Sequence, residues 1–260
     1  MFSSLIRVTL IAGAAASPLI QPRQSTIPVG TAIFSCTVPN TVALTFDDGP
    51  FTYTSSVLDQ LDAAGMKGTF FMNGNNWGNI YDYTTVVQRA VEGGHQVASH
   101  TWAHPDLATL DAAAVTSQMT DLETAFLSII GKFPTYMRPP YFSYTDETLE
   151  TLGGLGYHVI HADIDTQDWQ FNTLGNTTSV GIFEAGLDAG GGLTLAHDVH
   201  ENTAVTLVPA MIAAVQSRGL SAVTVGECLG DAAENCQWGW CGTTSDYCAT
   251  GCQSAFGICS

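Results

Sequence analysis

Two hydrophobic patterns alternate along most of this chain, and this alternation constrains the fold more than any other feature. Short runs rich in β-branched and aromatic residues are typical of buried strands, and between them apolar residues recur with the period of an α-helix. The strand patterns cover 41–47, 68–72, 96–99, 135–138, 158–162, 193–196 and 221–225. The helix patterns cover 54–64, 84–92, 111–130, 147–153, 180–189 and 204–217. Strands that alternate with helices require a parallel sheet with right-handed crossovers.

We therefore predict an α/β fold, a distorted (β/α) barrel of about seven parallel strands, complete or incomplete. The chain has 260 residues, of which 45% are hydrophobic and 12% are charged. That composition supports one domain of roughly 200 residues with small appendages. We place this domain at 36–228, and a small cysteine-rich C-terminal tail at 234–260.

The first 17 residues have the pattern of a secretory signal peptide. An apolar stretch at 8–16 follows Arg7, and the small residues Ala14 and Ala16 suit cleavage near Ala16. The stretch is shorter than the about 20 apolar residues that span a bilayer. The alternative is a buried N-terminal helix. We expect a secreted, extracellular protein, in the cell wall or beyond it, with no membrane partner.

The charge balance excludes some classes of partner. The chain has 24 acidic and 7 basic residues, a formal net charge of -17. Nucleic acid and anionic membrane surfaces need basic patches, so we expect neither as a partner. We expect a monomer. The sequon Asn176-Thr177-Thr178 is consistent with secretion.

The seven cysteines are unevenly placed. Cys36 and Cys228 stand apart from each other, and the other five lie within 236–259. An oxidising compartment favours disulfides over metal thiolates. A bridge between Cys36, which precedes the first long strand pattern, and Cys228, which follows the last, would join the two ends of the domain. The odd count leaves one thiol free or paired with another molecule.

Ionisable side chains end or follow five of the predicted strands. In parallel barrels, catalytic residues collect at the carboxyl ends of the strands and in the loops that follow. The side chains at these positions are Asp47, Asp48, His100, Arg138, Asp165, Asp168 and His197. Random placement would divide them between both ends of the barrel. Their common position therefore predicts an active site at one rim.

A metal site is the first chemistry that these residues suggest. His100 and His104 are four residues apart, which brings them to one face if the segment is helical. Two histidines and one carboxylate leave an open coordination position, as in a catalytic zinc site. Asp47 and Asp48 are adjacent, so their side chains point different ways in extended backbone and can serve different partners. Taken singly, each motif also has a structural interpretation, as a capped turn or a buried histidine.

Two further motifs suggest acid–base chemistry. Arg138 precedes two prolines that rigidify the chain, and a fixed guanidinium can hold a carboxylate with two hydrogen bonds. A purely structural ion pair is the alternative. His197 ends a strand pattern, and a carboxylate close to it would favour the protonated imidazole, which can donate a proton.

Five sequence strings carry a family resemblance when they are taken together. They are TFDDGP from residue 45, HTWAH from 100, RPPY from 138, DTQDW from 165 and LAHD from 195. In this order they resemble the five motifs of the polysaccharide deacetylases of carbohydrate esterase family 4, over roughly 41–224. The resemblance implies a distorted barrel and metal-dependent removal of N-acetyl groups from chitin or chitooligosaccharides, giving chitosan and acetate.

The resemblance also implies a role for most of the residues in these strings. It implies a metal site with zinc as the usual ion and cobalt as an alternative. The base would be Asp47, held by Arg138, and the acid would be His197, paired with Asp168. Asp165 has no assigned role. The metal ligands would be Asp48, His100 and His104, the backbone N–H of Tyr141 would face the oxyanion, and the acetyl group would contact Trp169 and Leu195.

The C-terminal tail resembles the latter half of a hevein-type chitin-binding module. The resemblance rests on CQWGWC from residue 236, YC from 247 and GCQS from 251. It implies that Trp238, Trp240 and Tyr247 contact sugar rings, which aromatic faces suit. The cysteines of the first half are missing, so the tail is either a working module or a degenerate one.

Two other classes of function compete with this interpretation. A chitin-binding lectin would bind through the tail and use the barrel as a scaffold. A glycoside hydrolase also uses two carboxylates, although it needs no two-histidine metal site. Within the deacetylases, acetylxylan and peptidoglycan stay open as substrates because the five motifs are shared.

Overall fold

The computed structural model describes residues 27–231 and the backbone of one further short strand, Trp238–Gly239. The predicted signal peptide and most of the predicted tail lie outside these residues. No helix in the described part of the chain has the length and hydrophobicity needed to cross a membrane.

The described residues form short strands that alternate with helices. The strands are β1 (Ala32–Ile33), β2 (Thr41–Val42), β3 (Leu44–Asp47), β4 (Gly68–Met72), β5 (Gln96–Ser99), β6 (Phe133–Pro134), β7 (Tyr136–Met137), β8 (His158–Ile160), β9 (Ile164–Asp165), β10 (Thr194–His197), β11 (Ser221–Ala222) and β12 (Trp238–Gly239). The α-helices are α1 (Thr54–Ala63), α2 (Thr84–Glu92), α3 (Ala112–Ile130), α4 (Asp146–Gly154), α5 (Thr178–Asp188), α6 (Val208–Ser217) and α7 (Val225–Cys228).

Eight of the described strands form one sheet in the order β1-β8-β7-β5-β4-β3-β10-β9. Every neighbouring pair in this order is parallel. The predicted α/β class and parallel barrel are therefore confirmed. The order begins at β1 and ends at β9, so the barrel is open between these two strands. β1 and β9 have two residues each, too few to give the hydrophobic pattern from which strands were predicted.

The helices pack their apolar faces against this sheet. Helix α3 buries Leu122, Ala125, Phe126 and Ile129, whose spacing places them on one face of the helix. In the same core, Phe46 of β3 stacks on Phe70 of β4, with ring centroids 5.2 Å apart. This continuous core holds the strand registers that position the rim residues.

Two predicted elements change their type of structure within the predicted range. The pattern at 221–225 predicts one strand, but β11 stops at Ala222 because Thr224 caps helix α7, with its hydroxyl accepting from Glu227 N. The pattern at 204–217 predicts one α-helix, but it begins as a π-helix at Thr203–Leu207. Pro209 lies in the next turn and has no N–H to donate, which accounts for the change in helix type.

A disulfide joins Cys36 to Cys228, which are 192 residues apart in sequence. Backbone contacts support it, because the N–H groups of Thr37 and Val38 both donate to Cys228 O at 2.9 Å. The bridge ties the segment after β1 to the end of α7, so the predicted link between the two ends of the domain is confirmed.

Candidate active site

Strand register brings the predicted residues of separate segments together at the carboxyl ends of the strands. His197 at the end of β10 is the Cα partner of Asp47 at the end of β3. Ser99 of β5 is the partner of Met137 of β7, so the residues that follow these strands, His100 and Arg138, are also neighbours. One rim of the sheet thus carries both acidic and basic groups, as the sequence predicts.

A cavity of about 670 Å³ lies at this rim. Nine of the residues that the sequence predicts at the site line it, and they come from the ends of different strands and the loops after them. These residues are Asp47, Asp48, His100, His104, Tyr141, Asp165, Trp169, Leu195 and His197. Arg138 and Asp168 are buried and contact the lining residues from behind.

The three predicted metal ligands converge on one side of the cavity. One ligand atom from each of Asp48, His100 and His104 lies within 4.8 Å of the others. Oδ1 of Asp48 is 3.3 Å from Nε2 of His104 and 3.7 Å from Nε2 of His100. This set of one carboxylate and two imidazoles fits a divalent transition metal such as zinc.

The segment 100–104, which carries the two histidines, is a loop and not the helix that their spacing also allows. Thr101 and His104 have φ values of 72° and 56°, in the left-handed region. Hydrogen bonds hold the loop, with Asn73 Nδ2 donating to Thr101 O at 2.9 Å and His104 N donating to Thr101 Oγ1 at 3.1 Å. The ring centroids of His100 and His104 are 4.9 Å apart.

The hydrogen bond of His100 fixes its tautomer. Nδ1 of His100 lies 2.7 Å from Arg138 O, and a carbonyl only accepts, so Nδ1 carries the proton. Nε2, which is 3.7 Å from Asp48 Oδ1, then carries the lone pair that a metal ligand requires. Burial lowers the pKa of His100 to about 3, so the imidazole is neutral at neutral pH.

Asp47 lies beside the metal-ligand cluster and is held from behind by Arg138. Nη1 of Arg138 donates to Asp47 Oδ1 at 2.7 Å, and the other oxygen, Oδ2, is 3.8 Å from His100 Nε2. Burial raises the pKa of Asp47, and the positive charge of Arg138 offsets part of that rise. The contact directs one carboxylate oxygen of Asp47 into the cavity.

His197 lies on the cavity wall formed by β10. Nδ1 of His197 donates to Asp168 Oδ1 at 2.7 Å. Asp168 Oδ2 accepts from His197 N and from Thr203 Oγ1, both at 2.6 Å. Burial alone lowers the pKa of His197, but the charge and hydrogen bond of Asp168 outweigh it and raise this pKa to about 9. The imidazole is therefore protonated at neutral pH and can donate a proton.

The predicted substrate contacts differ in exposure. Tyr141 and Trp169 are 70% and 51% exposed, whereas Leu195 is 6% exposed. All three line the cavity. Of the predicted sugar contacts in the tail, Trp240 and Tyr247 lie outside the described residues, and only the backbone of Trp238 is described.

Sequence reasoning missed three aromatic residues of the cavity, which are Trp77, Phe142 and His200. Trp77 and His200 both line it, and their rings meet edge to face with centroids 5.6 Å apart. Trp77 lies in the loop after β4, where no motif marks it. His200 lies three residues after His197, a spacing that could have indicated it.

Asp198 is a further residue with no predicted role, although it belongs to the LAHD string. It is fully buried, and its carboxyl lies beside the side chain of Thr54. Burial raises its pKa to about 7. A Cβ on Gly49 would lie 2.7 Å and 2.8 Å from the carboxyl oxygens of Asp198. The absence of a side chain at Gly49 therefore lets the carboxyl pack against the turn that follows Asp48.

Comparisons with known proteins agree with this fold. The polysaccharide deacetylase family model matches residues 35–160. A chitin deacetylase from Pestalotiopsis sp is 53% identical over 290 aligned residues, which cover 96% of this chain and 97% of the relative. A probable peptidoglycan-N-acetylglucosamine deacetylase from Arthroderma benhamiae is 50% identical; the match covers 86% of this chain and 51% of that protein.

A solved structure of a deacetylase also matches this chain. The chitin deacetylase of the fungal pathogen Colletotrichum lindemuthianum superposes with a TM-score of 0.79 at 48% sequence identity. The match covers 82% of this chain and 96% of that one. Identity at this level over nearly the whole of a relative shows common family membership. The chain therefore belongs to the polysaccharide deacetylase family of hydrolases.

Proposed function

We propose that this protein is a metal-dependent deacetylase that hydrolyses the N-acetyl groups of chitin or chitooligosaccharides, giving chitosan and acetate. One observation carries the proposal: a candidate metal site, a buried carboxylate and a protonated histidine line a single cavity. The carboxylate and the histidine are Asp47 and His197, and their Cα atoms are register partners on adjacent strands.

Asp48, His100 and His104 would hold the ion, and zinc suits this donor set, with cobalt as an alternative. A divalent metal at this position supplies Lewis acidity, polarising a carbonyl oxygen and lowering the pKa of water. The tautomer of His100 supports the assignment, because the proton on Nδ1 leaves a lone pair on Nε2, which lies 3.7 Å from Asp48 Oδ1.

The side chains of this protein divide the proton transfers between them. Asp47 takes the proton from the water that attacks the acetamide carbonyl, and Arg138 keeps that carboxylate oriented. The backbone N–H of Tyr141 stabilises the oxyanion that forms. His197, protonated through its pair with Asp168, donates a proton to the departing amine. Trp169 and Leu195 surround the acetyl methyl group.

Chitin is the substrate that the relatives favour. The 53% identical relative from Pestalotiopsis sp and the 48% identical solved structure are both named chitin deacetylases. The relative from Arthroderma benhamiae has a peptidoglycan name, which makes peptidoglycan the second candidate. Trp77 and Trp169 offer aromatic faces at the cavity that suit the apolar faces of sugar rings.

The protein acts outside the cell. The disulfide between Cys36 and Cys228 supports this location, because such bonds persist in oxidising compartments. A secreted enzyme also meets chitin, which is an extracellular polymer. Mass determination of the protein recovered from the culture medium tests the location, with cleavage near Ala16 as the expected result.

Acetate release from chitin oligomers, acetylxylan and peptidoglycan, with and without a chelator, tests the function. We expect the fastest release from chitin oligomers, loss of release with chelator, and loss in Asp47→Asn. Asp121→Asn, an exposed change on helix α3, is the matched control and should keep full activity. Release of reducing sugars that is insensitive to chelator would indicate a glycoside hydrolase, and binding without any product would indicate a lectin.

A further inference from the structure

Three aromatic rings lie side by side at the rim that carries the cavity. Phe34 directly follows β1, His161 directly follows β8, and Phe142 follows β7 after a short turn. β1, β8 and β7 are adjacent and parallel in the sheet, so their carboxyl ends face the same way. The three rings therefore form a row along the rim, from the cavity to β1 at the open end of the sheet.

The rings are in contact with one another. His161 stacks on Phe142 with centroids 3.7 Å apart and an interplanar angle of 17°. Phe34 lies 4.5 Å from His161 at an angle of 34°. We call this row of Phe34, His161 and Phe142 the aromatic shelf. Burial lowers the pKa of His161, so its ring packs as a neutral aromatic group at neutral pH.

The inner end of the shelf belongs to the candidate active site. Phe142 lines the cavity, and its ring lies 5.7 Å from the guanidinium carbon of Arg138. Phe142 has a φ of 52°, in the left-handed region that is costly for a bulky side chain. The carbonyl of His161 accepts from Arg138 Nη2 at 2.8 Å, which ties the middle of the shelf to the same arginine.

The outer end of the shelf faces solvent, with Phe34 50% exposed. A single exposed hydrophobic residue needs no explanation. Phe34 differs because its ring extends a row of contacting rings that begins with Phe142 in the cavity. An aromatic surface that adjoins a polysaccharide site can be covered by the next sugar units of the polysaccharide that is bound there.

We propose that the aromatic shelf binds a sugar ring of the polysaccharide beyond the unit that is deacetylated, with Phe34 as its outermost contact. This inference rests on the proposed function and adds a preference for longer substrates. Pyranose rings present apolar C–H faces, and an exposed aromatic ring offers a broad, rigid surface for them at little cost in entropy. Phe34 is not among the residues that line the cavity, so we expect a short oligomer to stop before it and a long one to reach it.

The test compares Phe34→Ala with the wild type on the disaccharide and the hexasaccharide of N-acetylglucosamine. We expect the KM for the hexasaccharide to rise about 2- to 10-fold, a range taken from the strength of aromatic contacts. The kcat on both oligomers, and the KM for the disaccharide, should not change. Phe34→Trp should restore the low KM, which a merely structural role of Phe34 would not require.

Val29→Ala is the matched control. Val29 is an exposed apolar residue, 44% exposed, that precedes β1 and so lies at the opposite end of the same strand. It should leave both KM values unchanged. The proposal is overturned if Phe34→Ala, shown to be folded by its melting temperature, keeps the wild-type KM for the hexasaccharide.

A binding measurement separates failure of the shelf from failure of the proposed function. If the wild type releases no acetate from either oligomer, the proposed function fails. Calorimetric titration of the hexasaccharide into Asp47→Asn, with and without Phe34→Ala, then decides the shelf alone. A Kd raised by the same about 2- to 10-fold supports the shelf. An equal Kd, or no binding to Asp47→Asn, rejects it.

Discussion

Nη1 of Arg138 lies 2.7 Å from Oδ1 of Asp47, and both side chains are almost completely buried. Arg138 also donates to Thr45 Oγ1 at 2.6 Å and to His161 O at 2.8 Å. These bonds fix the guanidinium at the centre of the rim, between β7 and β3. The carboxylate proposed as the base is therefore oriented by a group that has no contact with solvent.

Arg138→Met should destabilise the protein by about 3–5 kcal/mol, because it leaves the carboxylate of Asp47 buried without its partner. Denaturant unfolding measures this loss. Asp47→Asn in the same chain should recover part of it, since the uncompensated charge is then removed.

Arg218→Met is the control for that change. Arg218 forms an ion pair of the same 2.7 Å length with Asp188, but at the surface, where such pairs contribute about 0–1 kcal/mol. Equal losses of stability in the two arginine variants would disprove the claim that burial makes the Arg138 pair more important than the surface pair.

Asp168→Asn should move the alkaline limit of activity to lower pH. A proton donor works only while it is protonated, and the pair with Asp168 raises the pKa of His197 to about 9. Without the carboxylate, this pKa should fall toward or below the ordinary value of 6.5. The pH dependence of kcat measures the shift, and Asp121→Asn should show none. An unchanged alkaline limit would mean that His197 is not the acid or that Asp168 does not tune it.

The same pair gives the stability of the fold a pH dependence. The pKa of His197 is higher in the folded state than in the unfolded state, so the pair stabilises fully below about pH 6.5 and progressively less as the pH rises to about 9. The difference in melting temperature between the wild type and Asp168→Asn should therefore become smaller as the pH rises from about 6.5 to about 9. A constant difference would argue against a charged His197.

Two glycine substitutions should have opposite effects. In Gly49→Ala the new Cβ would lie 2.7 Å from Asp198 Oδ1, so the turn after Asp48 must shift, at a cost of about 1–3 kcal/mol and with lower activity. Gly181→Ala, in helix α5, meets nothing within 4 Å and should stabilise the helix by up to about 1 kcal/mol. Thermal unfolding of both variants checks these signs, and a harmless Gly49→Ala would contradict the close packing of Asp198.

The sequence predicted the sheet well, because hydrophobic period reports burial directly. The helix pattern at 84–92 matches α2, and the strand pattern at 68–72 matches β4. The strands β1 and β9 were missed because each has only two residues and lies outside the longer strand patterns. The position of the polar residues at one rim could be predicted because all the strands were expected to be parallel, which places their carboxyl ends on the same side.

Other features of the candidate site depend on geometry that sequence spacing does not report. His100 and His104 meet through a loop with two left-handed residues, although their spacing also suits a helix. Trp77 joins the cavity from a loop that has no motif. Asp198 is buried against Gly49, which is 149 positions earlier, and only the folded strands bring the two together.

The metal content of the purified protein tests the central claim most directly. Elemental analysis of the wild type should find one equivalent of a divalent transition metal per chain, and Asp48→Ala should have lost it while retaining its fold by circular dichroism. Asp121→Ala should keep the full equivalent. A wild type that binds no such ion even when zinc is supplied, or an Asp48→Ala variant that keeps its equivalent, would contradict the assignment of Asp48, His100 and His104 as the metal site.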